Sequence, residues 1–241
     1  MQNPNQNSKG NEMDETIINC IKNKIKEDPG LMDELYSLLL YGSAVRGDFI
    51  EGVSDLDFFA VLKSSDELLP SLRRILEDCA KSACAVEVDL AWEFLENLDD
   101  PLNKGVPFKF LTIYQEDFLK NHVVIYGEDI IEIFPKYRFE ELIEWRVTRL
   151  LKLSDVNVGD LKMLHITAGE VARLLALLNG AKTLKKEDVL EALQKLKDED
   201  ALSIYASYLN KRSMLFDEEF LRSFIATRCN KILKRPTLKT R

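Results

Sequence analysis

Residues 38–63 read LLLYGSAVRGDFIEGVSDLDFFAVLK, and this stretch decides which fold we expect. The apolar run from Leu38 to Tyr41 predicts a buried strand, and Gly42-Ser43 interrupts it where a strand would give way to a helix. A glycine at such a turn lets the backbone approach a ligand closely. Backbone N–H groups at the start of the next helix, together with the Ser43 hydroxyl, then predict a site for a phosphate.

A pair of aspartates opens a second predicted strand twelve residues beyond Ser43. In the run from Ser54 to Leu62, alternate side chains share a face, so Asp55 and Asp57 point the same way. Two carboxylates on one face repel each other unless a cation lies between them. Mg²⁺ meets this need, because one or two carboxylates plus substrate phosphates typically hold it. A phosphate-binding turn beside such a pair is typical of proteins that transfer a phosphoryl or nucleotidyl group.

This arrangement resembles the nucleotidyltransferase superfamily, which includes DNA polymerase β, the poly(A) polymerases and the aminoglycoside nucleotidyltransferases. The superfamily motif is an apolar strand, Gly-Ser, a spacer of about ten residues, Asp-x-Asp on a second strand and a third acid on a later strand. Gly42, Ser43, Asp55 and Asp57 match this motif. The resemblance implies a nucleoside triphosphate, ATP first, held at Gly42-Ser43. It also implies two Mg²⁺ ions on Asp55 and Asp57, which are then catalytic residues and metal ligands.

The third acid has two candidates on a strand predicted from Cys84 to Trp92. Glu87 and Asp89 are two residues apart and share one face of that strand. Many relatives have an aspartate within an apolar strand, which favours Asp89 as the catalytic residue and metal ligand. The aminoglycoside-modifying branch has a glutamate in a position similar to Glu87, so this alternative stays open. The third acid would bind the second metal ion or take the proton of an acceptor hydroxyl.

Three basic residues are candidate contacts for the triphosphate. Arg46 follows the Gly-Ser turn, where an arginine reaches the triphosphate in some superfamily members; an exposed helix charge is the alternative. Residues 159–193 look similar to the stretch where streptomycin-type adenylyltransferases have a long helix, a Gly turn and a Ser-Lys-x-x-Ala segment. By that resemblance Lys186, or its neighbour Lys185, and Arg173 contact the triphosphate. Solvated helix charges are the alternative, and Lys185 stands where the relatives have the serine.

The whole sequence predicts an α+β chain, in which an α/β nucleotidyltransferase domain with a mixed sheet flanked by helices precedes an all-α helical bundle. Residues 13–135 form the predicted catalytic domain and residues 136–235 the predicted bundle, because strand signals end at Phe134-Pro135. Residues 1–12 and 236–241 are predicted to be a disordered and a flexible tail.

The spacing of apolar residues predicts the individual helices and strands. A helix from Met13 is stopped by Pro29-Gly30. After the third strand, the runs 108–114 and 123–126 predict two further strands. Helices are then predicted within residues 139–150, 161–178, 186–196, 201–209 and 218–233.

Composition restricts the partners. The chain has 241 residues, 46% of them hydrophobic, and a formal net charge of -8. Binding to the phosphate backbone of a long nucleic acid requires a basic surface, so we do not expect such a partner. The expected partners are a nucleoside triphosphate and a hydroxyl-bearing acceptor, with a small molecule or a protein favoured. A homodimer is left open.

Four scattered cysteines lack the spacing of a metal site, and we expect reduced thiols in a cytoplasmic protein. No apolar run reaches membrane-spanning length, and the N-terminal residues are polar, so neither a membrane segment nor a signal peptide is expected. A second function class is an antitoxin-like or nucleotide-binding module of the same fold that works by association. Retention of the Gly-Ser turn and the acids favours the enzyme.

Overall fold

A computed structural model of the protein describes residues 6–83, 87–157, 159–210 and 215–235. The chain divides into two compact units, Met1–Lys136 and Tyr137–Arg241. The sequence signals place the boundary one residue earlier, after Pro135.

The first unit is a sheet with helices. Its elements are α1 (Gln6–Lys26), α2 (Pro29–Glu34), β1 (Leu35–Tyr41), α3 (Ser43–Arg46), β2 (Leu56–Leu62), α4 (Leu69–Ala83), β3 (Val88–Phe94), a 3₁₀ turn (Leu95–Asn97), α5 (Gln115–Lys120) and β4 (His122–Gly127).

The four strands form one mixed sheet in the order β3-β2-β1-β4. Strand β1 pairs antiparallel with β2 and with β4, whereas β2 and β3 are parallel. A parallel pair needs a crossover connection, and α4 supplies it. The predicted mixed sheet flanked by helices is therefore confirmed.

Alternating side chains divide the core between the two faces of this sheet. Phe58 and Ala60 of β2 are fully buried with apolar residues of α1 and α4. Phe59, on the other face, is buried with Phe110 and Phe118 from the segment that follows β3. Asp57 shares the face of Phe59 by the same alternation, so it lies beside the aromatic cluster and away from α1 and α4.

The structure differs from the sequence predictions at several elements. Residues 6–12, expected in a disordered tail, are helical. Pro29 begins a further short helix, whose N–H of Leu31 donates to the Asp28 side chain at 3.1 Å; proline suits the first position of a helix. The run 108–114 is a series of turns whose aromatic rings pack on Phe59, so the strand prediction there is wrong. Strand β3 is described from Val88, and residues 84–86 lie outside the described residues.

The cysteine prediction is wrong for one pair. Cys20 of α1 and Cys79 of α4 form a disulfide, with Cα atoms 5.8 Å apart. Cys229 is a buried free thiol, and Cys84 lies outside the described residues. The sequence could not reveal the disulfide, because only the packing of α1 on α4 brings together two cysteines separated by 59 residues.

All the regular secondary structure among the described residues of the second unit is helical. Its helices are α6 (Phe139–Val156), α7 (Leu161–Leu178), α8 (Lys186–Leu196), α9 (Glu199–Leu209) and α10 (Glu218–Leu233), which confirms the five predicted ones. Helix α7 contacts the other four helices and has the most buried residues of the five. None of the described helices combines the length and the apolar character that crossing a membrane requires.

A buried ion pair joins α6 to α7. Arg146 donates from Nε and Nη2 to the two carboxylate oxygens of Glu170, at 2.6 and 2.7 Å. Both side chains are less than a tenth exposed. A bidentate pair of this kind fixes the register of two helices by geometry as well as by charge.

Candidate active site

The Gly-Ser turn lies at the end of β1, as predicted. Gly42 has φ +76°, a region that L-amino acids with a side chain rarely adopt. The turn also brings Gly42 against Asp57: a Cβ atom at Gly42 would overlap Oδ2 of that carboxylate. The glycine is thus required for two reasons, the backbone conformation and the approach of an acidic side chain. Ser43, the first residue of α3, is buried.

Strand pairing brings the predicted acids together. Asp57 is the direct partner of Asp89 in the parallel pairing of β2 with β3. One residue earlier, the N–H of Leu56 donates to the carbonyl oxygen of Glu87 at 3.0 Å, which sets Glu87 beside the start of β2 and Asp55. Asp55 and Asp57 are half-buried, whereas Glu87 and Asp89 are exposed. Both candidates for the third acid therefore lie at the same end of the sheet, with Asp89 opposite Asp57.

The pKa of Asp57 is shifted by burial and by the charged side chains around it. Burial raises the pKa of Asp57 to about 7, with the negative charges of Asp89 and Asp55 adding to the effect and the positive charges of Lys109 and Arg46 opposing it. Burial and the charges of Asp57 and Asp89 likewise raise the pKa of Tyr41 well above its usual value. A bound cation would stabilise the ionised form of Asp57.

The carboxylates of Asp55 and Asp57 are the type of ligand that binds a magnesium ion. Within the described part of the chain, no three acidic, histidine or cysteine side chains converge closely enough to form a metal site by themselves. Mg²⁺ is commonly bound by one or two carboxylates with the remaining ligands from water and substrate phosphates. Asp55 and Asp57 supply two such carboxylates beside the Gly-Ser turn, so the donor set fits a metal ion that arrives with a triphosphate.

Arg46 is not an exposed helix charge. Its side chain is 11% exposed, and its guanidinium lies between the carboxylates of Asp48 and Asp117. Nε donates to Asp48 Oδ1 at 3.0 Å, and Nη1 donates to Asp117 Oδ2 at 2.8 Å. The exposed-charge alternative from the sequence is therefore wrong.

Three residues near the acids were not predicted from the sequence to be part of the site. Lys109 acts on the charge of Asp57 from within an aromatic run. Tyr41 pairs directly with Asp57 across β1 and β2, and its ring packs on Phe110 with centroids 4.3 Å apart. Asp117 accepts a hydrogen bond from Arg46. For Lys109, its place as a lone lysine between two phenylalanines was a signal in the sequence. The roles of Tyr41 and Asp117 depend on tertiary contacts, which the sequence does not show.

The remaining predicted phosphate contacts belong to the second unit. Arg173 lies on α7, with its guanidinium carbon 5.8 and 5.7 Å from the ring centroids of Tyr205 and Tyr208. Such a cation–π arrangement holds the guanidinium against α9. Lys186 is the first residue of α8, with Lys185 as its N-cap residue.

Comparison with known proteins identifies a similar domain and a similar fold. Residues 18–127 match the sequence model of the nucleotidyltransferase domain, and this range includes the Gly-Ser turn and all four candidate acids. No curated protein matches the sequence. Among solved structures, the chain is similar to spectinomycin adenyltransferase AAD(9) from Enterococcus faecialis, solved with ATP and spectinomycin. The two are 18% identical, with a TM-score of 0.59, over 89% of this chain and 98% of the other.

At this identity the likeness to the adenyltransferase shows a shared fold. The family match covers the range in which the Gly-Ser turn and the candidate acids lie. Residues 18–127 are therefore similar to a nucleotidyltransferase domain, and the chain shares the fold of an adenyltransferase.

Proposed function

We propose that this protein is a Mg²⁺-dependent nucleotidyltransferase that transfers AMP from ATP to an acceptor hydroxyl and releases pyrophosphate. One observation carries the proposal. The Gly-Ser turn is built against the carboxylate of Asp57, so a phosphate-binding turn and a metal-binding acid occupy one place in the sheet.

Gly42 and Ser43 receive the β- and γ-phosphates, and Asp55 and Asp57 hold the metal ions that accompany them. When bound, Mg²⁺ supplies charge stabilisation to the attacking and the leaving oxygens. The acid on β3 takes the proton of the acceptor hydroxyl. The hydroxyl oxygen then forms its bond to the α-phosphorus while the bond to the bridging α–β oxygen breaks, and pyrophosphate leaves.

Register favours Asp89 as that third acid. Its backbone is the direct neighbour of Asp57, and it is exposed, so a substrate can reach it. Glu87 is the alternative, because it is exposed and adjacent to the start of β2. Lys109, whose charge acts on Asp57, is placed to balance the negative charge of a triphosphate. Lys186 and Arg173 of the second unit are proposed as further phosphate contacts, on the strength of the family resemblance.

The acceptor is proposed to be a small hydroxyl-bearing molecule. The similar adenyltransferase was solved with ATP and spectinomycin, which makes spectinomycin the first acceptor to test here. A homodimer stays a prediction, and so does a cytoplasmic location. The Cys20–Cys79 disulfide bears on the second, since such bonds are rare in reducing compartments.

Isothermal titration with ATP, in Mg²⁺ and in EDTA, tests the donor site. We expect Mg²⁺-dependent binding that the double variant Asp55→Asn/Asp57→Asn loses. Asp99→Asn serves as the control, because this carboxylate is 61% exposed on a turn of the same unit. Pyrophosphate release with ATP and spectinomycin then tests the acceptor. Failure to bind any of the four nucleoside triphosphates would refute the enzyme and favour the association module.

A further inference from the structure

Arg46 is held on two sides by carboxylates. Its Nε donates to Asp48 Oδ1, and its Nη2 lies 3.5 Å from Asp48 Oδ2. The guanidinium therefore makes a bidentate contact with the Asp48 carboxylate. The side chains of Arg46, Asp48 and Asp117 are 11%, 9% and 15% exposed. Water therefore screens these ion pairs poorly, and their geometry is fixed more firmly than that of an exposed pair.

The bridge joins two parts of the site that are far apart in sequence. Arg46 is the last residue of α3, the short helix that begins at Ser43. Asp117 lies 71 residues later, on α5. Asp117 also accepts a hydrogen bond from Nδ2 of Asn121 at 3.1 Å, just before β4. One carboxylate thus links the Gly-Ser turn, α5 and the approach to β4.

A second contact supports the same junction. Phe118 of α5 packs edge-on against the ring of Tyr41, with centroids 5.5 Å apart. Tyr41 is the residue directly before the Gly-Ser turn. The turn is consequently fixed to α5 on both sides, by an aromatic contact before it and by an ion pair after it.

We propose that Arg46 is a positioning residue, whose bridge to Asp117 holds the Gly-Ser turn against α5 in the conformation that receives the triphosphate. It acts on nucleotide binding through Asp117 and not by contacting a phosphate itself. This inference rests on the proposed function, because it concerns the same triphosphate site. It assigns Asp117 a part in that site as well.

A double-mutant cycle on the affinity for Mg²⁺-ATP tests the inference. We expect Arg46→Gln and Asp117→Asn each to weaken binding about tenfold, and the double variant to be no weaker than either single variant, because both changes remove one interaction. Arg46→Lys should behave like Arg46→Gln, since a single ammonium cannot reproduce the planar fork that engages both carboxylates. The thermal midpoints of all variants show whether the protein stays folded; a purely structural role would lower them without changing the affinity of the folded protein.

Glu116→Gln on the same helix is the matched control, because its pair with Lys120 is exposed; we expect wild-type affinity. The inference is overturned if Asp117→Asn binds Mg²⁺-ATP like the wild type while Arg46→Gln does not. It is equally overturned if the two losses multiply to about a hundredfold in the double variant, since independent sites are additive in free energy.

Amide hydrogen exchange separates this inference from the proposed function. Either single variant should speed exchange both in residues 43–47 and in residues 115–121, whether or not nucleotide binds. Faster exchange confined to the mutated segment would contradict the bridge. If the wild type binds no triphosphate but each single variant still speeds exchange in both segments, the proposed function is refuted and the bridge remains in place.

Discussion

Gly42 and Asp57 approach each other so closely that no side chain fits between them. The glycine has a positive φ, and the carboxylate of Asp57 occupies the place that a Cβ atom at Gly42 would need. Two motif residues that are fifteen positions apart in sequence are therefore in direct contact in the structure. The antiparallel pairing of β1 with β2, in which Tyr41 lies opposite Asp57, produces it.

The substitution Gly42→Ala should displace the Asp57 carboxylate. We expect kcat/KM to fall by about a hundredfold, because a misplacement of about 1 Å in a reacting site has that order of effect. Gly52→Ala is the control: it carries a similar positive φ of 71°, but no atom lies within 4 Å of its added Cβ. Both variants should lose about 1 kcal/mol of stability from backbone strain. Equal activities of the two variants, measured by pyrophosphate release, would contradict the displacement.

The raised pKa of Asp57 makes the stability of the metal-free protein depend on pH. The folded-state pKa is about 7, above the value of about 3.9 expected in the unfolded chain. The folded state therefore binds more protons between these values, and the contribution of Asp57 to stability is full below pH 4 and is lost as pH rises through 7.

Urea unfolding in EDTA checks this sign. Between pH 5 and pH 8 the wild type should lose on the order of 2 kcal/mol more stability than Asp57→Asn, which has no carboxyl to titrate. Mg²⁺ should reduce the difference, because a cation stabilises the ionised carboxylate. A larger loss in the variant would show that another group dominates.

The two candidates for the third acid can be separated by substitution. Asp89→Asn should lower kcat by at least about a hundredfold, since removal of a general base has effects of that size, and should leave the affinity for Mg²⁺-ATP within about tenfold. Glu87→Gln should lower kcat less, because its backbone neighbours the start of β2 and not Asp57. Steady-state kinetics of both variants decides, and the reverse order would assign the role to Glu87.

The buried pair Arg146–Glu170 should dominate the stability of the helical unit. Glu170→Gln removes the charged partner of a buried guanidinium, and breaking a buried pair in this way costs about 3–5 kcal/mol. Glu191→Gln removes one partner of the exposed pair with Lys195 and should cost less than about 0.5 kcal/mol. Urea unfolding followed by circular dichroism measures both, and similar midpoints would contradict the difference in burial.

The disulfide predicts a redox-dependent stability. Its two cysteines are 59 residues apart, and closing a loop of that length stabilises the folded state by about 3–4 kcal/mol through the unfolded chain. Alkylation of the denatured, unreduced protein should modify two of the four cysteines. Reduction, or the variant Cys20→Ser/Cys79→Ser, should lower the thermal midpoint; four modified cysteines in the unreduced protein would refute the bond.

Local sequence was sufficient for much of the architecture. Helical periodicity gave all five helices of the second unit, and the limits of α7 and α8 agree with the predicted ones, because each helix presents a continuous apolar side to the others. Alternation in a strand likewise predicts that Asp55 and Asp57 share one face, and β2 begins at Leu56, between the two. Where aromatic residues pack against the sheet without joining it, as at residues 108–114, the same apolar signal gave a false strand.

The sequence by itself determined the motif: a glycine and a serine after an apolar strand, and two aspartates two residues apart at the start of the next one. The resemblance to the superfamily depends on this spacing, which is local. Tertiary structure decided what surrounds them. Pairing of β2 with β3 put Asp89 opposite Asp57, and folding of α5 onto the turn gave Arg46 its partner Asp117. Packing of α1 on α4 joined Cys20 to Cys79. These contacts join residues far apart in the chain, and no periodicity of neighbouring residues specifies such distances.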